Sequence, residues 1–153
     1  SILRFSNVYG HPGDHETRLI NAFLRRALLN QPLEIHGGGQ VFDFTYIDDT
    51  VTAIIAAAER LQHLNQVLSP MHILPGEPIQ IEELANLIIE ITESDSEIIF
   101  TQGRDYDVET FHGSPLRMHQ LLNVNCHTNI REGINQCMRL YQTEITPKGG
   151  LMP

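Results

Sequence analysis

The chain has 153 residues, 41% of them hydrophobic, which is enough for the core of one ordinary domain or of a piece of a larger protein. Nineteen acidic residues against ten basic give a formal charge of −9, and this excludes a nucleic-acid backbone as partner, because phosphate contacts need clustered Lys and Arg. A small phosphorylated ligand stays open, since one or two placed cations and some backbone N–H groups suffice for it. No apolar run approaches the roughly 20 residues that cross a bilayer, and Arg4 cuts the apolar start too early for a signal peptide, so no membrane partner is expected. Cys126 and Cys137 stand at neither metal nor redox spacing and read as two thiols in a reducing cytoplasm, Cys137 on a buried helix face.

Short β-rich runs alternate with helical patterns, which predicts an α/β fold. Ile2 to Phe5 and Asn7 to Tyr9 read as a strand ending at Gly10, followed by a loop on the turn chemistry of His11-Pro12-Gly13-Asp14. A helix is predicted over 19–29, with Leu19, Phe23 and Ala27 on one face and Arg25 and Arg26 turned away, stopped by Asn30-Gln31-Pro32. Leu33 to Ile35 is a short strand, Gly37-Gly38-Gly39 a turn, and 41–47 a β-rich stretch. Asp48 or Asp49 then caps a helix through Leu61, its carboxylate accepting from the first-turn N–H groups. Met71 to Leu74 is a strand; Ile81, Leu84, Ala85, Ile88 and Ile91 form an amphipathic helix; Glu97 to Thr101 is a strand. The polar stretch 102–114 lacks periodicity and is predicted as a loop. Pro115 to Leu122 is a short helix with Ser114 as cap, and Ile130 to Tyr141 is the last helix, capped by Asn129 with Glu132 as reciprocal partner.

Two clusters invite a chemical reading and lose it. Asp48 and Asp49 are paired carboxylates, but their place before a helix favours capping over acid–base work. His11 and His15 stand four apart, yet Pro12-Gly13 breaks the helix that such a zinc pair needs, so no metal site is expected.

Several stretches carry a resemblance in order and spacing. Leu3-Arg4-Phe5-Ser6-Asn7-Val8-Tyr9-Gly10 is similar to an LRxxNVYG strand, and Gln31 to Gly37 to an xPLxIYG segment. Gln40 to Asp49 is similar to QxRDFxYVDD, Arg104 with Asp107-Val108 to RPGDV, and Ile130 to Ile134 to an LEEGL helix. Together they resemble the carboxy-terminal half of the extended short-chain dehydrogenase/reductase family, the nucleotide-sugar epimerases, dehydratases and decarboxylases. The resemblance implies an α/β lobe, a small mixed sheet with helices over 1–142 followed by a tail over 143–153, without the family's Rossmann half. It contains neither the family's GxxGxxG loop nor its YxxxK pair, and its only lysine is Lys148. No catalytic residue is therefore expected in this chain, and alone it should be inert.

What the resemblance implies for the site can be tested residue by residue. Asn7 matches an asparagine that bonds the substrate's phosphates, a role an amide can fill without adding charge. Leu19 matches a position whose backbone N–H reaches phosphate at a helix N-terminus. Leu33 and Ile35 lie on the segment leading to His36, which stands at the aromatic position against the base. Arg104 matches a guanidinium that clamps the diphosphate. Phe5 falls where the family sets a residue against the nicotinamide. Phe42 departs from the pattern, which has a second phosphate-binding arginine there; Arg18 is the candidate replacement.

The partners so implied are a nucleotide diphosphate sugar, the Rossmann half that binds NAD in the complete protein, and a second copy of the chain, since a sheet edge would otherwise be bare. No cofactor is expected for this chain alone. In the complete enzyme the sugar would be oxidised by hydride transfer to NAD and then epimerised, dehydrated or decarboxylated. The alternative is a non-catalytic ligand-binding or assembly module derived from that family.

Overall fold

The computed structural model describes residues 1–63, 67–103 and 108–145, the side chains of 143–145 excepted. The expected single strand at the start is two, β1 (Leu3–Phe5) and β2 (Asn7–Tyr9), with Ser6 between them. They part because each takes a different partner: β1 pairs in parallel with β6 (Met71–Ile73), and β2 in parallel with β5 (Phe44–Tyr46). β3 (Leu33–His36) pairs in parallel with β8 (Ile98–Thr101). β4 (Val41–Phe42) lies between β7 (Ile79–Gln80), antiparallel, and β9 (Thr110–Phe111), parallel. The mixed sheet expected from the resemblance is thus distributed, among the described residues, over three two-stranded pairings and one three-stranded one.

Helices fill the spaces between these ribbons. α1 (Leu19–Leu28) buries Ile20, Phe23, Leu24 and Ala27, as its apolar spacing requires. It ends in a Schellman turn in which Asn30 takes φ 52°, with Asn30 N–H donating to the Ala27 carbonyl and Gln31 N–H to that of Arg26. Arg26 does not simply face water: its guanidinium donates to the Pro32 carbonyl at 2.6 Å and pairs with Glu34 at 2.7 Å. α3 (Ile81–Thr92) buries Ile81, Leu84, Ala85 and Ile88 against α1 and β3. Together with Tyr9, Ile134 and Cys137 these side chains make the main core. A second, smaller core joins Ala53 of α2 (Ile47–Gln62), Met71 and Ile73 of β6 and Met118 of α4 (Leu116–Leu122).

Three expectations are corrected. The stretch 102–114 is not loop throughout, since Thr110 and Phe111 form β9 on the edge of β4, a two-residue strand too short to show a period. The run 41–47 breaks at Asp43, whose buried carboxylate accepts from the backbone N–H groups of Glu77 at 2.9 Å and Gly113 at 3.4 Å. Neither Asp48 nor Asp49 caps α2: the helix starts at Ile47 behind an extended Tyr46, with both carboxylates inside its first turn. Asp49 is buried and instead accepts the N–H groups of His127 and Thr128 at 3.1 Å each.

At the last helix, α5 (Ile130–Ile145), the Asn129 amide oxygen accepts the Glu132 N–H at 2.9 Å, the cap that the sequence predicts. At α4 the cap position falls to Pro115 and not to Ser114, whose Oγ, one residue earlier, accepts the Leu116 N–H at 3.3 Å. No helix among the described residues is long and apolar enough to cross a membrane.

Candidate functional site

A cavity of about 370 Å³ opens where β2 runs into the loop before α1. Gly10 closes that strand with φ 143°, and a Cβ there would stand 2.5 Å from the Ile47 side chain, so only glycine lets β2 pass the start of α2. Its exposed or half-buried lining residues include Phe5, Asn7, Arg18, Leu19, Phe42 and Phe111, which we term its mouth. Its inner wall is set by Tyr9 from β2, Asn21 and Leu24 from α1, and Cys137 and Tyr141 from α5.

Local geometry explains what the mouth can hold. Arg18 is the N-cap residue of α1, no side chain caps that helix, and its first turn carries no acidic residue. The positive end of the helix dipole therefore meets the cavity at Leu19 without internal neutralisation. The Arg18 side chain is 59% exposed and stands 3.9 Å from Asp14, a loose pairing that a closer anion could replace. Asn21, 5% exposed, donates to the backbone carbonyls of Asp14 at 2.7 Å and His15 at 3.3 Å, fastening the loop over the helix. In that loop, His11 Nδ1 accepts the Gly13 N–H and the His15 ring contacts Thr17, so both imidazoles are engaged locally. No group of three His, Cys, Asp or Glu placed to hold a metal occurs among the described residues.

The inner wall is uncharged at neutral pH. Burial pushes the phenols of Tyr9, Tyr46 and Tyr141 upward, and for Tyr9 the negative forms of Cys137 and Tyr46 and the carboxylates of Asp49 and Glu132 add to it. Burial also pushes the Cys137 thiol up to about 12. Tyr9 and Tyr141 thus present O–H groups, not phenolates, and neither is poised as a base near neutrality.

The expected residues divide. Phe5, Asn7, Arg18 and Leu19 come together at one cavity. Leu33 and Ile35 are buried in the core and offer only their backbone. His36 does not line the cavity; its Nδ1 hydrogen-bonds the Thr101 hydroxyl across the β3–β8 pair. Arg104 lies outside the described residues. The Gly37-Gly38-Gly39 segment is a local turn: Gly37 N–H donates to the Thr101 carbonyl and Gly38 N–H to Gln40 Oε1. Two donors that a pyrophosphate would need are thereby already engaged. Tyr9, Asn21, Cys137 and Tyr141 were not singled out from sequence. A signal existed for two of them: Cys137 and Tyr141 stand four apart on the face of α5 that Gly133 begins.

Comparison with known proteins finds relatives of this chain. The model of the NAD dependent epimerase/dehydratase family matches residues 1–68. The UDP-glucuronate 4-epimerase of Thermodesulfobacterium geofontis is 25% identical over 148 residues, covering 95% of this chain and 44% of that protein. Among solved structures, the UDP-glucose 4-epimerase of Thermotoga maritima with UDP-glucose superposes with a TM-score of 0.83 at 26% identity, over 93% of this chain and 45% of that one. MoeE5 in complex with UDP-glucuronic acid and NAD gives 0.84 at 26% identity, over 94% and 47%. The chain is similar to the NAD-dependent epimerase/dehydratase family, by sequence over residues 1–68 and by fold over nearly its whole length. It spans under half the length of these relatives. Phe42, where the chain departs from the motif, lines the cavity.

Proposed function

We propose that this chain is the nucleotide-sugar-binding part of an NAD-dependent epimerase or dehydratase, and that the cavity between β2 and α1 seats the nucleotide diphosphate sugar. The observation that carries this reading is the meeting of Phe5, Asn7, Arg18 and Leu19 at one cavity in a lobe that superposes on an epimerase with UDP-glucose. Asn7 donates its amide to a phosphoryl oxygen, Leu19 offers a first-turn N–H, and Arg18 exchanges Asp14 for the phosphate. Arg104 supplies a second cation. His36, with the backbone of Leu33 and Ile35, lies outside the cavity and borders the base where the nucleotide extends past its mouth.

NAD accepts hydride from the sugar when it is bound. This chain's residues do not make its site: there is no GxxGxxG, the three-glycine turn has spent donors, and only Phe5 offers an apolar contact to the nicotinamide. The cofactor and the tyrosine–lysine pair therefore come from residues outside this sequence, in a Rossmann partner, and this chain alone does not turn substrate over. Two unpaired thiols fit a cytoplasmic protein. Ile2 and Phe5 at β1, together with Val51, Ile54 and Ile55 on α2, are exposed apolar surface that fits a covering partner or a second copy.

Calorimetric titration with UDP-glucose and dTDP-glucose tests the site. Binding weakened roughly fivefold or more in Asn7→Ala and in Arg104→Ala supports it; binding that both variants leave untouched overturns it. The second reading, a non-catalytic binding or assembly module, is favoured by Phe42 where the motif carries arginine. Light scattering that shows a stable dimer without any nucleotide affinity selects that reading.

A further inference from the structure

Four of the chain's six phenylalanines line one cavity, Phe5, Phe42, Phe44 and Phe111. Phe44 belongs to the core, but Phe5 and Phe111 are each 39% exposed and Phe42 is half-buried. Phe42 and Phe111 are register partners in the parallel β4–β9 pair, so their rings leave the same face of that ribbon. Val108, two residues before β9, is exposed and lines the cavity with them. Apolar side chains scattered singly over a surface mean little, whereas several gathered at a concavity point to an apolar occupant. The backbone beneath these rings has no free donor. Val41 and Asp43 donate to the carbonyls of Glu109 and Phe111 at 2.9 Å each, and on its other side β4 pairs with β7 through Phe42 and Ile79.

We propose that Phe42 and Phe111 are specificity-determining residues that hold an uncharged ring of the ligand against their aromatic faces. The motif that this stretch resembles carries a phosphate-binding arginine at position 42, and a phosphate does not fit the wall that stands here instead. It would surrender its water to rings that donate no hydrogen bond and whose faces are negative. An uncharged ring loses little water there and gains stacking and buried apolar area. The ligand's charge is then gathered at the head of α1, where Arg18 and the Leu19 N–H line the same cavity. This rests on the reading of the cavity as a nucleotide-sugar site and adds what the exchange of arginine for Phe42 selects. A pyrimidine base and a sugar both present an uncharged ring, and the test separates them.

The test compares the 153-residue chain with its Phe42→Arg and Phe111→Arg variants by calorimetry with UDP-glucose and with UDP, after thermal unfolding has shown which variants fold. Each variant adds a cation to a chain of formal charge −9, so simple attraction predicts tighter binding of an anionic nucleotide. A stacked ring predicts the reverse: UDP-glucose should bind roughly fivefold or more weakly in each variant. An equal loss with UDP assigns the ring to the base; a loss confined to UDP-glucose assigns it to the sugar. Phe42 also packs against the core, so its variant is the one at risk of not folding, and Phe111, exposed on the two-residue strand β9, then decides alone. Tighter or unchanged UDP-glucose binding in a folded variant overturns the inference, and the reading of the cavity still stands if Asn7→Ala weakens binding. Failure of the unaltered chain to bind either nucleotide overturns both readings together.

Discussion

The carboxylate of Asp49, in the first turn of α2, accepts the backbone N–H of Thr128 at 3.1 Å, and that of His127 at the same distance. One buried side chain thus ties the linker before α5 to the start of α2, beside Tyr46 and the end of β2. Hydrogen bonds to an ionised acceptor are worth about 1.5–3 kcal/mol each, and truncation also strands two N–H groups. Asp49→Ala should cost about 2–4 kcal/mol in urea unfolding. Asp49→Asn keeps one acceptor and should cost about half as much. A loss below measurement error in both variants would show that water replaces the carboxylate.

Gly133 of α5 packs directly against Tyr9. A Cβ on Gly133 would collide with the Tyr9 hydroxyl and stand 2.7 Å from its ring. Gly133→Ala gains about 1 kcal/mol of helix propensity within α5, but the overpacking costs about 1–3 kcal/mol and should exceed it. The variant is expected to be less stable. In a Tyr9→Phe background the collision with the hydroxyl disappears, so the same substitution should cost measurably less. Equal costs in the two backgrounds would mean that α5 shifts bodily instead.

The parts of this molecule that were legible in the sequence are those with a period or a terminus. α1 and α3 followed from apolar spacing, and α5 from its Asn129 cap, because each signal is local. The two-residue strands β4, β7 and β9 carry no period, and their pairing is decided by segments 30 to 70 residues away. Asp49 reads locally as a cap; only the fold brings 127–128 within its reach. The site divides in the same way. Phe5, Asn7, Arg18 and Leu19 were found because they sit on one contiguous strand–loop–helix unit. Tyr141 arrives from the far end of the chain, on a helix face whose residues read as ordinary core.

The Glu90–Arg131 pair looks strong and should matter little. Both N···O distances are 2.9 Å, joining α3 to α5, and the contact with Arg131 lowers the Glu90 carboxyl below its usual range. Yet the side chains of Glu90 and Arg131 are 64% and 53% exposed, where water and salt screen the pair. Arg131→Ala should therefore leave the unfolding midpoint within error at 0.5 M salt, with any small loss confined to low ionic strength. A loss that persists at high salt would show that the arginine stem, not its charge, packs against α3.

Alkali should expose the protonated interior. Burial raises the thiols of Cys126 and Cys137 from 9.0 to about 12, with Asp49 and Asp43 adding to the shift at Cys126. At pH 8 roughly one folded thiol in ten thousand is ionised, so iodoacetamide should label both cysteines slowly until denaturant is added. The same shifts set the sign of the pH dependence. The folded state keeps protons that the unfolded chain releases, so stability is complete below the unfolded thiol value near 9.0 and falls as pH rises toward the folded value of about 12. The raised phenols of Tyr9, Tyr46 and Tyr141 act in the same direction. Urea unfolding at pH 7, 9 and 10.5 should give stabilities that decline over the upper interval, with labelling rates rising in step. Rapid labelling of Cys137 at pH 8 in the folded chain would mean that the face of α5 lining the cavity opens to solvent.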